Sequence, residues 1–282
     1  MRLVVTGAGG GLGGAFLAHV PKHHEVYAFD HAALDIGDHD AVRRTVDLLG
    51  PDAVINLAAF TQVDANETNP ARAARDNAIG PQNLALAARA CGATMLHVST
   101  DYVFDGRKGA PYDELDLPAP ISVYGRAKLA GEQHVRELVP EHFVVRVGYV
   151  FGGPAHYFTS AVRALAAGEP AGGLTDRVGT PTFTRDLAPL LLPLLMTGRF
   201  GTYHLAGPQA ASWYDVLTRA RTIGGLSGEV RPQSAEELGL AAPRPAYSAL
   251  TSLYVSELGL PPMPSLDDAL SRFLEQVRAD PA

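Results

Sequence analysis

The sequence predicts an α/β protein: a doubly wound parallel sheet of the Rossmann type with a smaller, loop-rich C-terminal lobe. Three observations predict it. Short apolar runs, partly β-branched, recur at 3–5, 26–29, 53–57, 94–98 and 143–147, as strands buried on both faces of a parallel sheet do. Helix-compatible stretches at 12–20, 39–49, 70–90 and 123–139 lie between them. A glycine-rich turn joins the first run directly to the first of these stretches. Strand–helix repetition with short connections implies right-handed crossovers, hence helices on both faces of one sheet.

Each element has its own reason. The first run, Leu3-Val4-Val5, leads into Thr6-Gly7-Ala8-Gly9-Gly10-Gly11-Leu12-Gly13 and the first helix. The second run ends at Asp30. Alanine and leucine over 71–90 supply strong helix propensity for a single helix between the third and fourth strands. The fourth run closes on Val98-Ser99-Thr100-Asp101, and the next helix carries Tyr124 and Lys128. The second half is less regular. Turn signals at 152–154, 168–170, 172–173 and 261–264 separate helix candidates at 158–167, 184–196, 212–223 and 266–277 and a strand candidate at 202–205. The expected division is a nucleotide-binding domain over 1–150 and, over 151–282, mainly a substrate lobe with some segments returning to the sheet.

Composition narrows the function classes. The 282 residues, 46% hydrophobic and 19% charged, argue for a sizeable core and against disorder. A net charge of −7 argues against a nucleic-acid partner. The stretch 187–196 is the most apolar, but it is short and holds Pro189 and Pro193, so no membrane span is expected. The N-terminus lacks a secretory pattern, and the lone cysteine, Cys91, can form no intrachain disulfide; both fit a cytoplasmic protein. None of the ten histidines falls in a zinc-ligand spacing, so no metal site is expected from the residues themselves. The 29 glycines and 21 prolines are more than a tightly packed α/β protein needs.

Two local patterns carry chemistry. Gly7, Gly10 and Gly13 are spaced G-x-x-G-x-x-G between a strand and a helix. Such glycines permit a tight turn, close approach of a pyrophosphate, and packing of helix on strand, while the helix N-terminus offers free N–H groups to the phosphates. Asp30, at the end of the second strand, is placed to bind both hydroxyls of an adenosine ribose and to repel a 2′-phosphate. With His31 and not arginine following, NADH is favoured over NADPH. Tyr124 and Lys128, at i and i+4, share one helix face. A phenol ordinarily titrates near ~10, and a nearby ammonium lowers that value, making a better acid–base group. The same lysine can hold a cofactor ribose. A hydroxyl at the end of the fourth strand could bond a substrate carbonyl beside the tyrosine.

Together these segments resemble the dTDP-4-dehydrorhamnose reductase family within the extended short-chain dehydrogenase/reductase superfamily. The glycine loop and the Tyr124–Lys128 pair identify the superfamily. The runs at 99–106 (Ser-Thr-Asp-Tyr-Val-Phe-Asp-Gly), 179–182 (Gly-Thr-Pro-Thr) and 244–248 (Arg-Pro-Ala-Tyr-Ser) narrow it to this family, and the resemblance covers nearly the whole chain. It implies that Gly10, Gly11 and Leu12 contact the pyrophosphate and Asp30 the ribose. Asp35 and Ile36 would lie by the adenine, and Ala58, Ala59 and Phe60 along the cofactor channel. Thr100, Tyr124 and Lys128 would be the catalytic set, with Tyr124 as proton donor and Asp101 beside the substrate. Tyr149 takes the place of a tryptophan usual near the nicotinamide and sugar. Arg177, in place of a usual glutamine, would reach the substrate diphosphate.

The resemblance implies reduction, by NADH or NADPH, of C4 in a nucleotide-linked 4-keto-6-deoxysugar such as dTDP-4-dehydro-L-rhamnose. Some relatives bind Mg²⁺ at a subunit interface, and a homodimer is the base-rate expectation. A reductase or epimerase of another nucleotide sugar is the enzymatic alternative; dehydratases usually carry an acid pair where this chain has Asp101-Tyr102. The non-enzymatic alternative is a regulatory subunit, like the related eukaryotic branch that binds a methionine adenosyltransferase.

Overall fold

A computed structural model of the chain describes residues 1–153 and 156–279; Pro154, part of the turn signal at 152–154, lies outside them. The chain opens with β1 (Arg2–Thr6), α1 (Gly11–His19), β2 (Glu25–Phe29), α2 (His39–Leu49) and β3 (Ala53–Asn56). Leu3, Val4 and Val5 are fully buried, because neighbouring layers cover both faces of β1: Leu3 and Val5 join one core and Val4 the other. Asp38 caps α2 by accepting from the Ala41 N–H at 3.0 Å.

Next come α3 (Val63–Thr68), α4 (Pro70–Ala74) and α5 (Gly80–Cys91), with a π-helical turn over Arg75–Ile79. The single helix expected over 70–90 is therefore broken. Pro81 has no N–H to give to the carbonyl of Asn77, four residues back, so the ladder opens there. The widened turn sends the Asn77 side chain to Phe60, where it accepts from the N–H at 2.9 Å and donates to the carbonyl at 3.0 Å. That bond pins the loop after β3.

The first half closes with β4 (Thr94–Thr100), a 3₁₀ turn over Asp101–Val103, α6 (Val123–Leu138) and β5 (His142–Val147). Ser122 caps α6, accepting from the Gly125 N–H at 3.0 Å. The second half runs β6 (Val150–Phe151), α7 (Tyr157–Ala166), β7 (Ala171–Leu174), β8 (Val178–Gly179), β9 (Thr182–Phe183), α8 (Thr184–Met196), β10 (Gly201–His204), β11 (Ala211–Ser212), α9 (Trp213–Gly224), β12 (Val230–Gln233) and α10 (Leu266–Ala279). Most of these strands are too short to leave an alternating pattern, and only β10 was expected. They pair as β6 with β9, β7 with β12 and β8 with β11.

The main sheet has the order β2-β1-β3-β4-β5-β10, all parallel. After β2 the chain crosses to the far side of β1 to form β3. This reversal leaves a crevice at the carboxyl ends of β1 and β3, where open α/β sheets bind ligands. β10 returns from the second half to pair with β5, and α8 packs on α1, burying Leu187 and Leu191 beside Phe16. A separate cluster of Phe151, Phe158, Phe183 and Phe273 is formed by later elements. Among the described residues, no helix is long and apolar enough to cross a membrane.

Candidate active site

A cavity of about 970 Å³ runs along the carboxyl ends of the strands. Sixteen of the seventeen sequence-predicted site residues line it; Arg177 does not. At one end lies the glycine loop. Gly7 has φ 77°, and a Cβ there would lie 2.5 Å from the Ala58 nitrogen. A Cβ on Gly13 would lie 2.1 Å from the Gly7 carbonyl oxygen. Both positions thus exclude a side chain, and the loop can close against the start of α1. That helix has no side-chain cap and no acidic residue in its first turn. Its amide N–H ends and positive dipole end therefore face the cavity beside Gly10, Gly11 and Leu12, an arrangement that suits a diphosphate.

Asp30 stands at the rim, one carboxylate oxygen accepting from the Ala33 N–H at 2.8 Å. Asp35 is bonded to Arg75 at 2.5 Å, and that guanidinium holds its carboxyl below the usual carboxylate range. Ile36 is a buried wall residue. Ala58, Ala59 and Phe60 line the middle, with the Arg72 guanidinium 4.2 Å above the Phe60 ring.

Thr100, Asp101, Tyr124, Lys128 and Tyr149 converge at the other end. Thr100 Oγ1 donates to Asp101 Oδ1 at 3.0 Å and is hydrogen-bonded to Tyr124. Burial pushes the Tyr124 phenol above its ordinary value, and the Thr100 bond works in the opposite direction. Lys128, expected to do this tuning, is not among the groups that shift the phenol. Lys128 Nζ donates to the Val98 carbonyl at 2.7 Å, and burial pushes its ammonium down to about 8. Asp101 is pushed up to about 6 by burial, against the bonds from Ser248 and Thr100.

Behind α6, Glu132 is completely buried. It accepts from Ser99 Oγ at 2.6 Å, from Arg146 Nε and Nη2 at 3.0 and 2.8 Å, and from Arg136 Nη1 at 2.9 Å. This cluster ties α6 to β4 and β5, and so sets where Tyr124 and Lys128 stand.

Tyr149 is the only non-glycine residue with positive φ, 43°, among those described. Such backbone costs roughly 1–3 kcal/mol and persists where the surroundings impose it. Here they do: the Tyr149 ring stacks on Trp213, centroids 4.9 Å apart and planes 1° from parallel. A Cβ on Gly179 would come within 2.5 Å of that ring. Trp213 and His156 also line the cavity and escaped sequence reading, since no local spacing marks them. Neither did spacing reveal that Ser248 bonds Asp101, or that Arg244 grips Asp64 at 2.6 and 3.0 Å, across more than 140 residues in each case. Arg177 pairs with its neighbour Asp176 at 3.1 Å. No group of three or more potential metal ligands occurs among the described residues.

The arrangement joins an anion-binding helix end, a ribose-facing acid and a buried phenol–hydroxyl–amine cluster. It can hold an extended dinucleotide and deliver a proton at its inner end. Comparison with known proteins agrees. Residues 1–279 match the family described as the RmlD substrate binding domain. A dTDP-4-dehydrorhamnose reductase of Mycolicibacterium smegmatis is 41% identical over 275 residues, covering 95% of this chain and 84% of that protein. One from Mycobacterium tuberculosis is 41% identical over 285 residues, covering 97% and 92%. Among solved structures, dTDP-4-dehydrorhamnose reductase from Bacillus anthracis in complex with NADP superimposes with a TM-score of 0.93 at 35% identity, covering 98% of this chain and 99% of that one.

Proposed function

The chain belongs to the dTDP-4-dehydrorhamnose reductase family, and we propose that it reduces C4 of dTDP-4-dehydro-L-rhamnose to give dTDP-L-rhamnose. The observation that carries this reading is the convergence of Thr100, Tyr124 and Lys128 at the inner end of a cavity whose outer end suits a dinucleotide. The nicotinamide cofactor supplies the hydride to C4. The protein's part is to orient the ketone, exclude water and place one proton on O4.

Tyr124 is the acid. Its raised affinity for the proton keeps it protonated at neutral pH, the state required for reduction. Thr100 aligns the phenol and polarises the ketone oxygen. Hydride at C4 and proton at O4 together complete the alcohol. Tyr149, Trp213 and Asp101 would bound the sugar, with Arg177 left to neutralise Asp176 or to turn toward the substrate diphosphate. The Asp101-Tyr102 turn lacks the acid pair that dehydration of the sugar would need.

Asp30 is proposed to favour NADH. The Bacillus anthracis relative was solved with NADP, so NADPH is expected to bind as well and the preference to be one of degree. Asp30→Ser should raise the ratio of kcat/KM for NADPH over NADH about tenfold, roughly 1.4 kcal/mol. An unchanged ratio would remove Asp30 from the ribose site. The reaction itself is tested with a panel of nucleotide 4-ketosugars and both cofactors. The dTDP-rhamnose precursor should turn over fastest. Faster turnover of another sugar would change the substrate and keep the site; no turnover of any would favour a regulatory role.

A further inference from the structure

The Thr100 hydroxyl has one hydrogen and two lone pairs, and the groups around it compete for them. The Tyr102 N–H donates to Thr100 Oγ1 at 3.2 Å. Asp101 Oδ1 lies 3.0 Å from the same oxygen, and the Tyr124 phenol is bonded to it as well. The other carboxyl oxygen, Asp101 Oδ2, accepts from Ser248 Oγ, brought in from the 244–248 run. Among the described residues the Ser248 hydroxyl has no other acceptor. Thr100, Asp101 and Ser248 are all buried.

The charge on Asp101 decides which way the hydrogens run. A backbone N–H can only donate, so Tyr102 always takes one lone pair of Thr100. An ionised carboxylate can only accept, so Thr100 then gives its hydrogen to Oδ1. Its second lone pair is left to the Tyr124 O–H, and both hydrogens point away from a ketone in the cavity. A neutral carboxyl reverses the order. Ser248 fills Oδ2, so the carboxyl proton sits on Oδ1 and is given to Thr100. Both lone pairs of Thr100 are now taken, and it can no longer accept from Tyr124. Its own hydrogen is free for the phenol oxygen or the ketone, and the phenol hydrogen turns to the ketone.

We propose that Asp101 is a positioning residue that works as a neutral acid: by donating to Thr100 it turns the hydrogens of Thr100 and Tyr124 toward the ketone, and when ionised it turns them away. The inference rests on reduction of a ketone at this end of the cavity by Thr100 and Tyr124. The Asp101 proton is not consumed; it stays on Oδ1 while Tyr124 supplies the proton to O4. Thr100 can also steady the phenolate left behind only while its hydrogen is not committed to Asp101. A carboxyl kept neutral by an apolar site is a known kind of hydrogen-bond donor.

The surroundings favour the neutral form. Burial raises the carboxyl to about 6, against the bonds from Ser248, Thr100 and the backbone N–H groups of Asp101 and Tyr102. Tyr102 on the 3₁₀ turn, Tyr124 on α6 and Tyr149 after β5 are held above the ordinary phenol value, so none of them ionises in the working range. The cations that act on Tyr102 and Tyr149 are Arg177 and Arg244. Each has its own carboxylate, Asp176 and Asp64. Lys128 on α6 lines the same cavity and donates to Val98. Substrate that displaces water from the cavity desolvates Asp101 further and carries its neutral form to higher pH.

The kcat profile and infrared spectroscopy test the proposal. Wild-type kcat should fall about tenfold per pH unit above a value of about 6 or higher. In Asp101→Asn the amide can set its oxygen on Ser248 and its NH₂ on Thr100 at every pH, so this limb should vanish. A limb that persists in the variant, or kcat lost at every pH while cofactor still binds, would overturn the proposal. Should Asp101→Asn fail to fold, Ser248→Ala makes the same test: it removes a bond that favours the charged carboxyl, so the limb should move up by about one unit. An unmoved limb would contradict it. Without turnover, cofactor-bound wild-type protein should show the carbonyl band of a neutral buried carboxyl that titrates near 6 and shifts in Thr100→Val. Absence of that band, or a band indifferent to Thr100→Val, would overturn the inference. Inactive wild-type protein would count against the proposed reaction and leave the infrared result to decide the state and partner of Asp101.

Discussion

Tyr124→Phe is expected to lower kcat roughly 10²- to 10⁴-fold, the usual worth of a positioned acid, with nicotinamide cofactor affinity changed no more than a few-fold. The substitution removes one oxygen and keeps the ring. That ring packs edge-on to Tyr102, centroids 5.8 Å apart at 74°, so the fold around it should persist. What is lost is the phenol O–H hydrogen-bonded to Thr100 at the inner end of the cavity. Because burial keeps the wild-type phenol protonated, it is charged for donation at every pH where the enzyme would work. Cofactor oxidation under saturating substrate, with a separate titration of cofactor fluorescence, distinguishes the two effects. A kcat within threefold of wild type would remove Tyr124 as the acid.

Glu132→Ala is expected to destabilise the protein by about 3–5 kcal/mol, as loss of one member of a buried ion pair does. Arg146 is 3% exposed and its guanidinium lies over the Phe104 ring at 5.2 Å, so without the carboxylate its charge has no water to turn to. Ser99 would also lose its acceptor. Replacing both partners with apolar residues, as in Glu132→Leu with Arg146→Met, should cost much less than the single change, because no charge is left stranded. Urea unfolding of the three proteins makes the comparison. Equal midpoints for wild type and Glu132→Ala would mean that the cluster does not hold α6 in place.

What could be read from the sequence follows from how local each signal is. β1, the glycine loop and α1 are one continuous segment, so the spacing of Gly7, Gly10 and Gly13 marks a candidate anion site without help from any tertiary contact. The i, i+4 spacing likewise put Tyr124 and Lys128 on one face of α6. Partners supplied from afar were not legible. The break at Arg75–Ile79 depends on Asn77 reaching Phe60, and Lys128 is held by groups on β4. The cavity wall made by Trp213 and His156 needs the second half folded back over the first. Arg177 is expected from the sequence to reach the substrate diphosphate, yet its guanidinium pairs with the adjacent Asp176 at 3.1 Å. Part of the glycine excess also has its cause in close approaches. Gly13 meets Gly7, and Gly179 meets the Tyr149 ring, and neither contact leaves room for a Cβ.

The central claim is that this cavity delivers hydride to C4 of a dTDP-linked ketosugar. The most direct test is to supply cofactor carrying deuterium at the transferable position together with dTDP-4-dehydro-L-rhamnose, and to locate the label in the product by mass spectrometry and NMR. One deuterium, bonded to C4 of dTDP-L-rhamnose, with one cofactor oxidised per sugar formed, is the predicted result. Recovery of the ketosugar unlabelled and unreduced, or of label at any other carbon, would contradict it.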